Sequence, residues 1–323
     1  MDTQTYDMIV IGAGPIGLCC AIEAQKHGMT ALILEKGVLV NSIYNFPTNM
    51  TFFSTSKLLE IGDVPFISHN DKPTRSEALE YYRRVVDTWN LNIITFCEAQ
   101  ALQKLQGGGY SIQTPKGTLK AKNVVISTGF YDTARMMNVP GESLPKVKHF
   151  YDDAHPYVGK KVLVIGAANS ACDIALELYH KNAEVTMMVR GSEINSRVKY
   201  WIKPNIQNRI KEGSIKAFFE TTIKEITEST VVLQTLTGEV ILENDFVLAM
   251  TGYQPDYKLF RKMGVPISDD AQKKPIHDKE TLLTELPNVF VAGVIKSGMK
   301  TSTYFIENSR EDANKIVQFI ASN

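Results

Sequence analysis

The chain has 323 residues, 44% of them hydrophobic, with 35 basic residues balanced by 35 acidic ones. That length supports two medium-sized cores, and the balanced charge, with no basic run interleaved with aromatics, argues against a nucleic-acid partner. No run of ~18 apolar residues is present to span a membrane, and Cys19, Cys20, Cys97 and Cys172 form neither a CxxC pair nor a metal-ligand spacing, so no metal site is expected.

The first element reads as a strand, Tyr6–Ile11, leaving no room before it for a signal peptide. With the cysteine usage, this fits a cytoplasmic enzyme without structural disulfides. The strand is short, apolar and continuous, as expected when both faces are buried. The turn Gly12-Ala13-Gly14-Pro15-Ile16-Gly17 follows, then a helix Pro15–His27 and a strand Thr30–Glu35. A lone GxGxxG is weak, but this one leaves a strand, opens a helix and is followed by an acid at the end of the next strand. Gly12 permits the tight bend, Gly14 lets the backbone approach a pyrophosphate, and Gly17 lets the helix pack on the strand. The pyrophosphate then rests on free N–H groups at the helix N-terminus. Glu35 can accept hydrogen bonds from a ribose 2′-hydroxyl. The ADP half of FAD is therefore expected here, on Gly12, Gly14, Pro15, Ile16, Gly17, Glu35 and Lys36.

Thr74-Arg75-Ser76-Glu77 has capping-box spacing and starts a helix reaching about Trp89. Asn92–Ile126 alternates like short antiparallel strands turning at Gly107-Gly108-Gly109. Val124–Gly129 is an apolar strand ending in Thr128-Gly129, and Val247–Gly252 ends the same way. Between them lies a second βαβ pattern: strand Lys161–Ile165, turn Gly166-Ala167-Ala168-Asn169-Ser170-Ala171, helix Asn169–His180 and strand Glu184–Val189. Here Arg190 stands where the first unit has Glu35, and an arginine can hold a 2′-phosphate. NADPH is therefore expected on Gly166, Ala168, Asn169, Ser170, Ala171 and Arg190. Lys199 is a second phosphate contact or a plain surface lysine. Two Thr-Gly ends bracketing the second turn predict an α/β fold of two Rossmann-like dinucleotide-binding domains. The FAD domain (1–129 and 251–323) is interrupted by an NADPH domain (130–250). A last strand, Pro287–Gly293, is followed by a helix from about Thr301 to Ala321. His149 and His155 lie between the domains as candidate proton donors to a leaving thiolate, or as ordinary linker histidines. Tyr131 and Tyr253 stack near the flavin or simply pack.

With these motifs in place the chain resembles the low-molecular-weight thioredoxin-reductase type of flavoprotein over essentially its full length. It lacks that family's redox dithiol, since 129–165 contains no cysteine. It is more similar to the bacillithiol disulfide reductase family. The matching stretches include Ser42–Thr48, Thr51–Ser54, Ile61–Phe66, Asn138–Gly141, Ala154–Tyr157, Trp201-Ile202, Pro204-Asn205, Gly252-Tyr253, Pro255-Asp256, Ala292–Ile295 and Phe305–Asn308. The resemblance implies FAD, a preference for NADPH, a cytoplasmic setting, a homodimer or homotetramer, and a low-molecular-weight disulfide as the electron acceptor. It adds Thr128, Gly129, Gly293 and Val294 to the FAD site, and implies that the last helix directs its positive N-terminus at the flavin. One departure matters. Members from bacilli and staphylococci carry a cysteine just before the third fingerprint glycine, and here that residue is Ile16, which cannot form a mixed disulfide. Cys20, one turn further along the helix, remains a candidate thiol against its reading as core packing.

Two other enzyme types share parts of the pattern. A ferredoxin- or flavodoxin-NADP reductase of the same build passes electrons to a small redox protein and needs no dithiol. A flavin monooxygenase resembles Gly159–Gly166, but its Phe-x-Gly-x-x-x-His signature is absent, Ser143 and Pro145 standing at the corresponding positions.

Overall fold

The computed structural model describes residues 4–323. The chain forms two compact units, one built from residues through Thr133 together with Tyr253–Asn323, the other from Ala134–Gly252.

The first unit is organised on a seven-stranded sheet. Strand Thr5–Ile11 lies between Ala31–Leu34 and Gly117–Ile126, parallel to both. Gly117–Ile126 is long enough to carry two neighbours on its far side. Its first half pairs antiparallel with Tyr110–Thr114, its second half parallel with Val289–Val291. The register sets Leu34, Ile11, Ile126 and Val291 level with one another. The chain therefore emerges at one carboxyl edge as Glu35, Gly12, Ser127 and Ala292. That edge of an open α/β sheet is where ligands bind. Helices Pro15–Lys26, Arg75–Trp89 and Asp312–Ala321 cover one face, burying Leu18, Ile22, Tyr81, Tyr82, Val85 and Ile316 against Met8, Val10, Ile33 and Phe290. A separate core of Ile9, Leu32, Val124, Ile126, Phe260 and Val291 fills the other face. This sheet thus has a core on each face, which is why its central strands read as unbroken apolar runs.

In the second unit five parallel strands run Lys216–Phe218, Glu184–Met188, Lys161–Ile165, Phe246–Ala249 and Val147–Lys148 across the sheet. A three-stranded antiparallel sheet, Thr222–Ile226, Thr230–Thr235 and Gly238–Glu243, accompanies them.

The capping box forms as its spacing predicts. The Thr74 side chain accepts from the Glu77 N–H, and the Glu77 carboxylate accepts from the Thr74 N–H at 2.7 Å, opening helix Arg75–Trp89. Two expectations need correction. Ile93–Ile94 is not an antiparallel strand but a parallel edge strand beside Ala31–Leu34. The helix expected over 301–321 is absent in its first part. A 3-10 turn, Gly293–Ser297, is followed by a short helix Ile306–Ser309 and then Asp312–Ala321. The Thr- and Ser-rich 301–303 segment lacks the apolar stripe that would hold it down as helix.

Candidate functional site

The first fingerprint is tightly determined by its own backbone. Gly12 has φ +109°, and a Cβ there would lie 2.7 Å from the Ser127 carbonyl oxygen. A Cβ on Gly17 would fall 1.9 Å from the Gly12 carbonyl, so the helix approaches the turn only because Gly17 has none. Gly14 is different. No protein atom lies within 4 Å of where its Cβ would be, so its glycine leaves open space over the helix N-terminus rather than relieving an internal clash. That is the cradle a pyrophosphate needs.

Glu35 closes the turn from the side. Its carboxylate, 6% exposed, accepts from the Ala13 N–H and the Gly37 N–H, each at 2.8 Å. Burial raises its pKa above the ordinary value, with the two N–H groups opposing that shift. Each carboxylate oxygen carries a second lone pair that can accept from a ribose hydroxyl. Beside it Lys36 pairs with Asp132 at 2.8 Å. At the neighbouring strand end, the Ser127 hydroxyl donates to Ile11 and Gly12 carbonyls, whereas the Thr128 hydroxyl is buried with no hydrogen-bond partner among the described residues. An orphaned buried hydroxyl carries a desolvation penalty of ~1–3 kcal/mol unless a ligand meets it. The open cradle, the lone hydroxyl and the carboxylate all lie at one carboxyl edge and fit FAD. Gly293 joins them, with its Cβ position 3.3 Å from the Ile16 side chain, and Val294 follows it into the 3-10 turn. Gly129, φ +68°, leaves the edge beside Ser42. Tyr131 and Tyr253 pack on each other, 4.2 Å between ring centroids, with Phe46 edge-on to Tyr131.

The second fingerprint is looser. Gly166, φ +126°, is required, since a Cβ would lie 2.8 Å from the Met250 carbonyl oxygen. Ala168 caps helix Asn169–His180, with Ser170 exposed and Ala171 buried behind it. Arg190 stands exposed beyond the strand end and makes no hydrogen bond or ion pair among the described residues. Lys199 departs from the phosphate role. It is 8% exposed, its ammonium pairs with Asp173 at 2.8 Å and lies 5.7 Å from the Trp201 ring centroid, and its N–H donates to the Asn169 side chain. Together with the Asn195 N–H on the Ala167 carbonyl, that bond folds 195–199 over the turn. The lysine braces the nucleotide turn and does not reach outward from it.

The candidate thiol is also corrected. Cys20 is wholly buried among Leu18, Ile22 and Val10, and burial raises its pKa well above the usual thiol range. Cys19 and Cys172 are pushed up to about 12 by the same cause. Cys97 is fully buried. Exchange requires an accessible thiolate, and none of the four qualifies. His149 lies 3.3 Å from the Glu142 carboxylate, which itself accepts from the Met137 and Asn138 N–H groups at 2.7 Å. That places the imidazole in the bracing of the 137–142 turn. His155 is exposed at the start of a 3-10 turn. The first residue of the last helix, Asp312, pairs with the buried Lys296 at 2.5 Å. Lys296, Asp312 and Asp132 belong to no motif legible in the sequence. Asp312 left one readable sign, an acid at a core-facing position of an amphipathic helix.

Among the described residues no group of His, Cys, Asp and Glu could hold a metal ion, and no helix is long and apolar enough to cross a membrane.

Residues 9–293 match the family described as pyridine nucleotide-disulphide oxidoreductase. The chain is 45% identical over 314 residues to bacilliredoxin reductase Bdr of Bacillus subtilis (strain 168), covering 97% of each. It is similar to the solved structure of bacillithiol disulfide reductase Bdr (YpdA) from Staphylococcus aureus, with a TM-score of 0.96 and 40% identity over 99% of both chains. The Bacillus cereus structure of the same name gives 0.94 and 42%, again over 99% of both.

Proposed function

The chain belongs to the bacillithiol disulfide reductase family within the pyridine nucleotide-disulphide oxidoreductases, and from that premise we propose that it is an NADPH-dependent FAD enzyme that reduces bacillithiol disulfide or a closely related low-molecular-weight disulfide. When bound, the two cofactors supply hydride transfer from NADPH to flavin and two electrons onward to a disulfide, giving two thiols and NADP⁺ with uptake of one proton.

The protein's share is binding, orientation and electrostatics. Gly12, Gly14 and Gly17 seat the FAD pyrophosphate on helix Pro15–Lys26, with Pro15 and Ile16 lining the turn. Glu35 takes the ribose, with Lys36 beside it. Thr128, Gly129, Gly293 and Val294 face the flavin half. In the second unit Gly166, Ala168, Asn169, Ser170 and Ala171 receive the NADPH pyrophosphate, and Arg190 the 2′-phosphate. The observation that carries the cofactor reading is the cradle itself: space over Gly14 and an unpartnered Thr128 hydroxyl at the same edge as Glu35. Because every cysteine is buried, the chain offers no exchange thiol, and the disulfide must draw both electrons from the cofactor. The relative from Bacillus subtilis is named for bacilliredoxin, which supports an oxidised small redox protein as a second acceptor. A homodimer or homotetramer is part of the same proposal, tested by sedimentation equilibrium.

Anaerobic stopped-flow decides between acceptors. FAD-loaded protein is reduced with NADPH, then mixed with bacillithiol disulfide or with oxidised bacilliredoxin while flavin reoxidation is followed. Fast reoxidation by the small disulfide, unchanged in Cys20→Ala, is expected. Reoxidation only by the protein disulfide would move the assignment to the second acceptor, and loss of reoxidation in Cys20→Ala would restore a thiol step.

A further inference from the structure

At the end of strand Val289–Val291 the first unit buries a complete ion pair. Lys296 is 8% exposed and Asp312 4%. The Lys296 ammonium donates to both Asp312 oxygens, at 2.5 and 2.7 Å, and the Gly293 N–H donates to the second of them at 2.8 Å. The ammonium also lies 4.1 Å from the centroid of the Tyr304 ring. One carboxylate thus ties the 3-10 turn to the first turn of helix Asp312–Ala321.

A buried pair of this kind is weak evidence for stability. Desolvating both ions offsets most of their attraction, and apolar residues of the same volume often serve a core as well or better. Its position suggests another role. Gly293 packs directly against Ile16 of the first fingerprint, and the strand register orders the carboxyl edge as Glu35, Gly12, Ser127, Ala292. With the ribose at Glu35 and the pyrophosphate over Gly12–Gly17, the remaining half of FAD, ribitol and isoalloxazine, would run toward Gly293. Reduction places negative charge on the isoalloxazine. In a water-poor interior that charge senses any unbalanced ion nearby.

Resting on the FAD reading above, we propose that Lys296 and Asp312 are positioning residues of the flavin site: Asp312 holds the Gly293 turn against the cofactor, and Lys296 cancels the charge Asp312 would otherwise set beside the reduced ring. Geometry and charge separate cleanly by substitution. Asp312→Asn keeps an oxygen to accept the Gly293 N–H but leaves the Lys296 cation uncompensated. Lys296→Met leaves the carboxylate uncompensated. The double variant removes both charges and keeps the Gly293 bond.

The test is the flavin midpoint potential, with FAD dissociation constants for oxidised and reduced protein measured in parallel. Asp312→Asn is expected to rise and Lys296→Met to fall, each by about tenfold in the ratio of reduced to oxidised affinity, or about 30 mV for a two-electron couple. The double variant and Lys296→Arg are expected to return to the wild-type value. Where Lys296→Met does not fold, Asp312→Asn must still lie above the double variant. Equal potentials, or single variants that shift in the same direction, would overturn the proposal while leaving FAD binding intact. Wild-type protein that does not retain FAD would overturn the FAD reading itself, and this inference with it.

Discussion

The two dinucleotide turns share one plan and differ in how far the protein completes them. In the first, Glu35 is buried and holds the N–H groups on either side of it, and Gly17 lets the helix close to within van der Waals reach of the turn. In the second, Ala171 takes the place of Gly17, Ala168 that of Gly14, and Arg190 projects into solvent with no partner among the described residues. The first is built like a seat for a resident group, with polar partners already desolvated and locked. The second, with an exposed charge, suits a cosubstrate that arrives and leaves, since an exposed arginine attracts a phosphate without a deep desolvation penalty.

The largest expected effect tests the closed turn against the open one. Gly17→Ala places a methyl 1.9 Å from the Gly12 carbonyl oxygen, a backbone atom with nowhere to go. It should cost about 1–3 kcal/mol or more, and the purified protein should lack flavin absorbance. Ala171→Gly should cost about 1 kcal/mol or less and leave flavin content unchanged. Thermal melts and the visible spectrum of both variants check this, and equal flavin loss in the two would erase the distinction.

Glu35→Ala comes next. It strips the acceptor from the buried Ala13 N–H, at about 1–3 kcal/mol for a buried donor left unmade, and from the half-buried Gly37 N–H, and weakens FAD binding in a fluorescence titration.

How much of this contrast could be read from the sequence depends on the kind of interaction. Both βαβ patterns were legible because they are local, a buried strand, a turn and a helix within one short window. Helix Asn169–His180 has the bounds its pattern gives, and the helix from the Thr74 capping box ends at Trp89 as expected. What stayed hidden joins residues far apart in the chain. Lys199 read as a phosphate contact or a plain surface lysine because nothing local shows that Asp173 claims it. Cys20 looked one turn from Ile16, but only the packing of helix Asp312–Ala321 and the sheet shows the thiol sealed on all sides. The pairing of Lys296 with Asp312 requires the 3-10 turn and the last helix to meet, and the periodicity of either segment is silent on that.

Arg190→Ala should separate cofactor choice from folding. Its melting temperature should match wild type, because an exposed strand-end charge contributes within about 0.5 kcal/mol. The KM for NADPH should rise about 10- to 100-fold, the value of charge-assisted hydrogen bonds worth ~1.5–3 kcal/mol, and NADH turnover should not change. Steady-state kinetics with the two nucleotides read the split. An equal loss with NADH would show that Arg190 acts on the fold and not on the 2′-phosphate.

The smallest effect concerns how each unit anchors the strand that leads into its glycine turn. In the first unit the Asp7 carboxylate accepts from Lys122 Nζ at 2.8 Å, from the Thr30 N–H at 2.9 Å and from the Thr30 hydroxyl at 2.7 Å. These bonds, that from Lys122 foremost, hold its pKa at about 2 against an ordinary 3.8. A depressed acid stabilises the fold above its unfolded pKa, and the contribution disappears as pH falls through the folded one. Asp7→Asn should therefore lower stability by about 1 kcal/mol at neutral pH, the upper end for a partly exposed pair, and the gap from wild type should close between pH 3.8 and about 2. In the second unit, Lys161 pairs with a fully exposed Glu243, so Glu243→Gln should leave the melting temperature unchanged throughout. Denaturant melts of both variants from neutral pH downward compare the two anchors. A gap for Asp7→Asn that does not narrow in acid would mean that the strand start is held by the Met8 N–H on the Thr30 carbonyl and the Asn123 side-chain amide on the Asp7 carbonyl rather than by the ionised carboxylate.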